Sequence, residues 1–472
     1  MFLEDQPNGG VFLPVPPDTA SAEYIDDLLQ FQWGKTQRNT PRGRQASDES
    51  GGTPDAMRMV MAEALSIDVI SQDKTPALDR LLTKICNTGD NSTKAAKDKY
   101  MRLRPFMQMN DPLWAQYDTD YLRTNGSYPS GHTAFGWATA LVFAEMWPEL
   151  QDTILRRGFQ FGENRLIVGA HYQSDVTAGY LCAAASVARA HTNPELEKDI
   201  LAARAEYARL KGLPEDYDPV TGVDVPHGER ILNDPVDTTS YRYISDLTQY
   251  WKAKPVRYTE RGKRAATEAE YSVEMMCQVF GEAANMKLSA QKTPAIYALL
   301  DTVLIKASET ADRLKPIRFR KRPFVQLGEP SFVPGDEEKE RGKSSFPSGH
   351  TNLGWTTALI MAEVAPEYQD EILRRGYEYG YNRLIVGYHW FTDIIATRQV
   401  SAALVARLHA DAGIRQMIAA ARAEYVEQRA ASVHPVSGPN ASADGHVYTL
   451  SGRQATETTR GIVIKDGQKI VR

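Results

Sequence analysis

The hydrophobic pattern of this chain is helical almost throughout. Segments such as Ala134–Met146 and Val176–Ala190 place apolar residues at helical spacing, and β-branched alternation is scarce. The pattern predicts an all-α protein. Its character changes after Pro439, where Val447 to Gly452 and Gly461 to Lys465 precede Asp466-Gly467 and then Gln468 to Val471. An Asp-Gly pair between short alternating runs predicts a β-hairpin. This tail is too short to be an enzyme of its own.

The pattern also repeats. Ile154 to Gly158 (ILRRG) returns as Ile372 to Gly376, and Asn164 to Gly169 (NRLIVG) returns as Asn382 to Gly387, both at an offset of 218 residues. The same offset takes Trp33 to Trp251, Lys74-Thr75-Pro76 to Lys292-Thr293-Pro294, and Ala203 to Tyr207 (ARAEY) to Ala421 to Tyr425. A one-residue slip between Arg42-Gly43 and Arg261-Gly262 interrupts it. A period this long means duplicated domains, because solenoid units are far shorter. The expected division is a first domain over 1–211, a linker over 212–237 that holds Pro214, Pro219, Pro226 and Pro235, a second domain over 238–432, and a tail over 433–472.

Composition narrows the class. The 472 residues are 42% hydrophobic and 24% charged, with a formal net charge of −5. There is no apolar run long enough to span a membrane and no broad basic field to gather nucleic acid, so any anion site must be local. Glu4 and Asp5 stand where a secretory signal would be basic, so no signal peptide is expected in this chain. Cys86, Cys182 and Cys277 form no CxxC pair, and the repeat equates them with Leu304, Val400 and about Met59, so they read as buried thiols.

The polar residues that share the offset are those a phosphate site needs. Lys97, Arg104-Pro105, Pro129-Ser130-Gly131-His132, Arg165, His171 and Asp175 return as Lys315, Arg322-Pro323, Pro347-Ser348-Gly349-His350, Arg383, His389 and Asp393. Four of the nine histidines belong to this set. On a helix, Lys97 and Arg104 would lie two turns apart on one face, both aimed at a shared anion. Ser130-Gly131-His132 precedes an apolar run, where the free amides and dipole of a helix N-terminus favour phosphate. His171 and Asp175, four apart, would face one side of a helix, the carboxylate accepting the imidazole N–H. Taken singly these are a solvated basic face, an ordinary N-cap and a surface pair. Their recurrence in order, twice, favours function.

The pattern K-x6-RP, then PSGH, then R-x5-H-x3-D resembles the signature of the bacterial class A non-specific acid phosphatases, of the type 2 phosphatidic acid phosphatase and vanadium haloperoxidase superfamily. FLPVPP at Phe12 to Pro17 and WGKTQRNTPRG at Trp33 to Gly43 are similar to the opening of such enzymes. The resemblance implies an all-α bundle and a metal-independent phosphomonoesterase. In it Lys97, Arg104, Ser130, Gly131 and Arg165 surround the phosphate, His171 attacks phosphorus to give a phosphohistidine, His132 is the general acid and Asp175 orients His171. Lys315, Arg322, Ser348, Gly349 and Arg383, with His389, His350 and Asp393, match these roles in the second copy. No cofactor or metal is implied, although vanadate fits such a phosphate pocket. Small phosphate esters are the expected partners, nucleic acid is not, and the copies are expected to pack as a pseudo-dimer within one chain.

Two departures stand out. Asn164 and Asn382 occupy a position usually held by Ser, which suggests altered affinity without loss of chemistry. The second copy also has WKAKPV at Trp251 to Val256 in place of WGKTQR, which bears on its entrance. The tail resembles sorting segments of secreted or surface proteins and points to a periplasmic or secreted location; the alternative is a hairpin covering one end of the second domain. Two other functions compete. A vanadium haloperoxidase is disfavoured by the short stretch from Phe106 to Tyr128, and a phosphate-binding module with one inactive copy is disfavoured by intact histidines in both.

Overall fold

A computed structural model describes residues 5–51, 54–115, 120–214, 217, 225–432, 447–449, 462–465 and 468–471. Parts of the expected linker and most of the tail, including Asp466-Gly467, lie outside the described residues. Met1–Tyr425 forms one compact unit that contains both copies, and Val426–Arg472 forms a second. The protein is all-α in its main unit. The tail carries three short antiparallel strands in sequence order, Val447–Thr449, Ile462–Lys465 and Gln468–Val471, with Lys465 opposite Gln468.

Each copy is built around one helix that is apolar on all sides, as a fully enclosed helix must be. In the first copy this is Gly131–Met146, buried at every position from Thr133 onward. It packs against Pro76–Asn91, Gln151–Ile167 and Gln173–Ala190. In the second copy Gly349–Val364 packs the same way against Pro294–Ile317, Gln369–Ile385 and Phe391–Ala410. The glycine of the repeated ILRRG motif allows this closeness: a β-carbon on Gly158 would lie 2.3 Å from Cβ of Ala140, and one on Gly376 would lie 2.3 Å from Cβ of Ala358.

The copies exchange contacts symmetrically. Gly131–Met146 packs on Phe391–Ala410, while Gln173–Ala190 packs on Gly349–Val364. The short helix leading each copy lies against the other copy: Gly9–Phe12 on Gln369–Ile385, and Gly228–Ile231 on Gln151–Ile167. Arg242 adds an ion pair to Asp26 across the seam at 3.3 Å. All three cysteines are free and buried. Among the described residues no helix is long and apolar enough to cross a membrane.

Candidate active site

The repeated polar residues converge at the N-terminal end of each central helix. Ser130 caps Gly131–Met146, its hydroxyl oxygen accepting from the Thr133 amide at 3.3 Å, and Ser348 caps Gly349–Val364 identically. A β-carbon on Gly131 would lie 2.5 Å from a carboxylate oxygen of Asp90 and would have to displace that side chain, whereas one on Gly349 would meet nothing nearer than Lys315 Nζ at 3.9 Å.

Lys97 and Arg104 do meet, but not on one helix. The helix Lys94–Tyr100 ends at Met101, which has a left-handed φ of 39°, and Arg104 lies just before the next helix, Pro105–Gln108. Both side chains instead fold onto the carbonyl of Gly126, Lys97 Nζ at 2.7 Å and Arg104 Nη2 at 3.3 Å. Burial, then the charge of Arg104, pulls the Lys97 ammonium down to about 7. Arg165, 1% exposed, lies at the end of Gln151–Ile167 and holds its own turn together, its carbonyl accepting from the amides of Ala170 and His171. That turn depends on Gly169, whose φ of +79° closes the helix and directs the chain to His171; Gly387, at +82°, does the same for His389.

His171 and Asp175 do not share a helix face. The following helix begins at Gln173, so His171 precedes it, while Asp175 sits in its first turn and accepts from the Tyr172 amide at 2.8 Å. The imidazole Nδ1–H is donated to the Ser127 carbonyl at 2.8 Å, and Asp175 is 3.6 Å from that nitrogen, beyond hydrogen-bond reach. Ser127 connects them, its hydroxyl donating to Asp175 at 2.5 Å. This tautomer leaves the Nε2 lone pair facing the site, where Arg104 Nη1 donates to it at 2.9 Å. Burial, then Arg104, pushes His171 down to about 3, so its ring is neutral. His132 is partly covered, donates its Nε2–H to the Gly51 carbonyl at 3.1 Å, and is also held well below the ordinary range by enclosure and the charge of Arg165.

The sequence reading missed the layer behind the histidine. Arg102 bonds Asp175 and Asp27, each at 2.7 Å, and Arg320 likewise bonds Asp393 at 2.6 Å and Asp246 at 2.5 Å. Arg102, Ser127, Arg320 and Ser345 were visible, since the 218 offset pairs them too. The asparagine departure also resolves: the Asn164 amide donates to Glu49 at 2.7 Å and that of Asn382 donates to Glu268, so neither serves the anion. Nor does WKAKPV alter the entrance framework. Lys35 and Arg38 tie down Asp111, and Lys254 ties down Glu329 at 2.7 Å, while Arg38 and Arg257 both cap the last helical turn through the Ile167 and Ile385 carbonyls.

The second site repeats the histidine geometry. His389 Nδ1–H is donated to the Ser345 carbonyl at 2.5 Å, and Arg322 Nη1 lies 3.2 Å from Nε2. It differs in its cations. Lys315 is a fifth exposed and pairs with Asp312 at 3.3 Å, and Arg322 Nη2 pairs with Glu340 at 2.6 Å. Lys315, Arg322, Glu340, His350, Arg383 and His389 line a cavity of about 400 Å³.

The model of the PAP2 superfamily matches residues 81–196 and 294–415, one match on each copy. A protein of Providencia stuartii named non-specific acid phosphatase is 42% identical over 200 residues, covering 42% of this chain and 80% of that protein. One of the same name from Salmonella typhimurium is 34% identical over 203 residues, covering 43% and 81%. A Zymomonas mobilis acid phosphatase is 35% identical over 150 residues, covering 32% and 56%.

Proposed function

The chain belongs to the PAP2 superfamily and is an acid phosphatase, and from this premise we propose that each copy hydrolyses phosphomonoesters through a phosphohistidine, without a metal. The observation that carries this reading is the hydrogen bond from His171 Nδ1–H to the Ser127 carbonyl, which turns the Nε2 lone pair toward Arg104. The bond from His389 to the Ser345 carbonyl supports the same reading of the second copy.

In this mechanism the ester phosphate enters against Lys97, Arg104, Arg165 and the Gly131 amide, and takes over the Arg104 hydrogens that His171 holds in the free enzyme. Nε2 of His171 attacks phosphorus in line with the ester oxygen. The P–N bond forms as the P–O bond breaks, and the leaving oxygen takes a proton from His132. Burial, then the charge of Arg165, keeps His132 neutral in the free site, and entry of the dianion makes protonation possible by offsetting that charge. Departure of the alcohol leaves His132 neutral. It then takes a proton from water, whose oxygen attacks the phosphohistidine, releasing phosphate and neutral His171. The cations stabilise the charge of the transferring group in both steps, and Ser127 with Asp175 stabilises the positive ring of the intermediate.

His389, His350, Asp393, Arg322 and Arg383 carry the same roles in the second copy, with Glu340 competing for its arginine. The symmetrical seam supports a pseudo-dimer within one chain, and the tail's likeness to sorting segments supports a periplasmic or secreted location. Acid-stable but base-sensitive loss of ³²P label is the wrong signature for a phosphohistidine. The test is therefore rapid quenching into base after mixing with ³²P-labelled aryl phosphate in EDTA. Base-stable, acid-labile protein-bound label that disappears only in the His171→Ala, His389→Ala double variant is expected. No label under turnover overturns the covalent route.

A further inference from the structure

We propose that Glu145, His191 and His409, completed by Glu363, form a divalent metal site of the zinc type on the seam between the two copies. The residues are two pairs at the repeat offset, Glu145 with Glu363 and His191 with His409. None belongs to the phosphate sites. His191 Nε2 lies 3.1 Å from Glu145 Oε2, and His409 Nε2 lies 3.0 Å from Glu363 Oε2. The two imidazoles, one from each copy, stack with ring centres 3.7 Å apart and planes 4° from parallel. One donor atom from each of Glu145, His191 and His409 lies within 4.8 Å of the others.

The hydrogen bonds of His409 point to a cation. Its Nδ1–H is given to the Val405 carbonyl at 3.0 Å, which leaves Nε2 facing a carboxylate oxygen of Glu363 at 3.0 Å. That backbone bond is the support metal-binding histidines ordinarily have. Two lone pairs at this separation repel unless a proton or a metal ion lies between them. A proton on His409 would answer that pair alone and would leave Glu145 Oε2 and His191 Nε2, both buried, without a hydrogen-bond partner. One divalent ion instead takes both nitrogens and the Glu145 carboxylate together, at about 2.0–2.2 Å once the rings turn out of their parallel stack so that each lone pair faces the metal, with Glu363 beside His409 as the fourth donor. Two further observations agree. Glu363 Oε1 is buried with no hydrogen-bond partner, and the contact between Glu145 Oε2 and His191 Nε2 lacks hydrogen-bond geometry. Arg204 faces Glu145 from the side, but its guanidinium donates to the Glu145 backbone carbonyl.

Each copy supplies one glutamate and one histidine, so the ion would bind only the assembled seam and stabilise it. Full-length protein stripped with chelator and dialysed is titrated with Zn²⁺ by calorimetry, and bound metal is counted by mass spectrometry. One ion per chain and a rise in Tm of about 3 °C at a hundredfold excess over Kd are expected. Both should disappear in His409→Gln and Glu145→Gln, with His191→Gln replacing either variant if circular dichroism shows it unfolded. The His171→Ala, His389→Ala double variant should keep the ion. No stoichiometric zinc in the parent, zinc retained by the seam variants, or zinc lost with the catalytic histidines overturns the site. Phosphatase turnover in EDTA reports on the catalytic reading separately.

Discussion

Glu340 holds a carboxylate oxygen 2.6 Å from Nη2 of Arg322, the guanidinium that also contacts His389. In the first copy the offset places Leu122 at this position, and Arg104 Nη2 turns to the Gly126 carbonyl instead. The two sites share their histidines but differ in how freely their arginines meet an anion.

Glu340 competes with phosphate, so its removal is expected to strengthen the second site. In a His171→Ala background, which isolates that site, Glu340→Gln should lower KM for an aryl phosphate by about tenfold, the effect of losing one like-charge contact worth about 1.4 kcal/mol. An unchanged KM would mean that the carboxylate moves aside at no cost. The parent chain should accordingly lose most of its kcat/KM with His171→Ala and little with His389→Ala.

Lys97 accounts for an acid working range. Its ammonium is held down to about 7 by burial and Arg104, so it loses its charge as pH rises through neutrality and the free site then binds dianions poorly. The alkaline limb of kcat/KM, which reports the free enzyme, is expected near pH 7 for the first site. The limb of kcat should lie higher, because bound phosphate restores the ammonium. Lys97→Arg keeps its charge throughout and should move the kcat/KM limb upward by more than one unit. A limb that stays near 7 in that variant would assign it to another group.

Ser127 joins His171 to Asp175, so Ser127→Ala is expected to loosen the nucleophile without touching the cations. Loss of one hydrogen bond to a charged group costs about 1.5–3 kcal/mol, so kcat should fall roughly tenfold to a hundredfold while KM stays within twofold. Steady-state kinetics in a His389→Ala background reads this directly. A change confined to KM would place Ser127 in binding.

The sequence carried the order and chemistry of the site but not its local geometry. Lys97, Arg104, His171 and Asp175 were legible because the offset repeats them, and side-chain type limits what they can do. Helical spacing was the wrong frame for them. Met101 turns left-handed between the two cations, and Asp175 spends a carboxylate oxygen on the Tyr172 amide at a helix start. Both are loop decisions set by tertiary contacts, which periodicity does not encode. The seam pair His191 and His409 shared the offset as well, but a histidine at a helix end signals nothing until its partner from the other copy lies across from it.

Acid sensitivity follows from the same buried histidines. His171 is pushed down to about 3 by burial and Arg104, and His132, His350 and His389 are also held well below the ordinary value. Between that ordinary value of about 6.5 and the folded pKa, the unfolded chain binds protons that the folded chain refuses. Stability present above about pH 6.5 is therefore lost as pH falls, by about 1.4 kcal/mol per unit for each such histidine. His409, pushed up to about 9, acts oppositely: its contribution is full below about 6.5 and is lost as pH rises through 9. Urea midpoints at pH 7, 5.5 and 4.5 should fall steadily. Inorganic phosphate should restore them most at the lowest pH, because an anion among Lys97, Arg104 and Arg165 lets the neighbouring histidines take up protons without unfolding. A midpoint insensitive to phosphate across this range would show that the histidines are not titrating against the site.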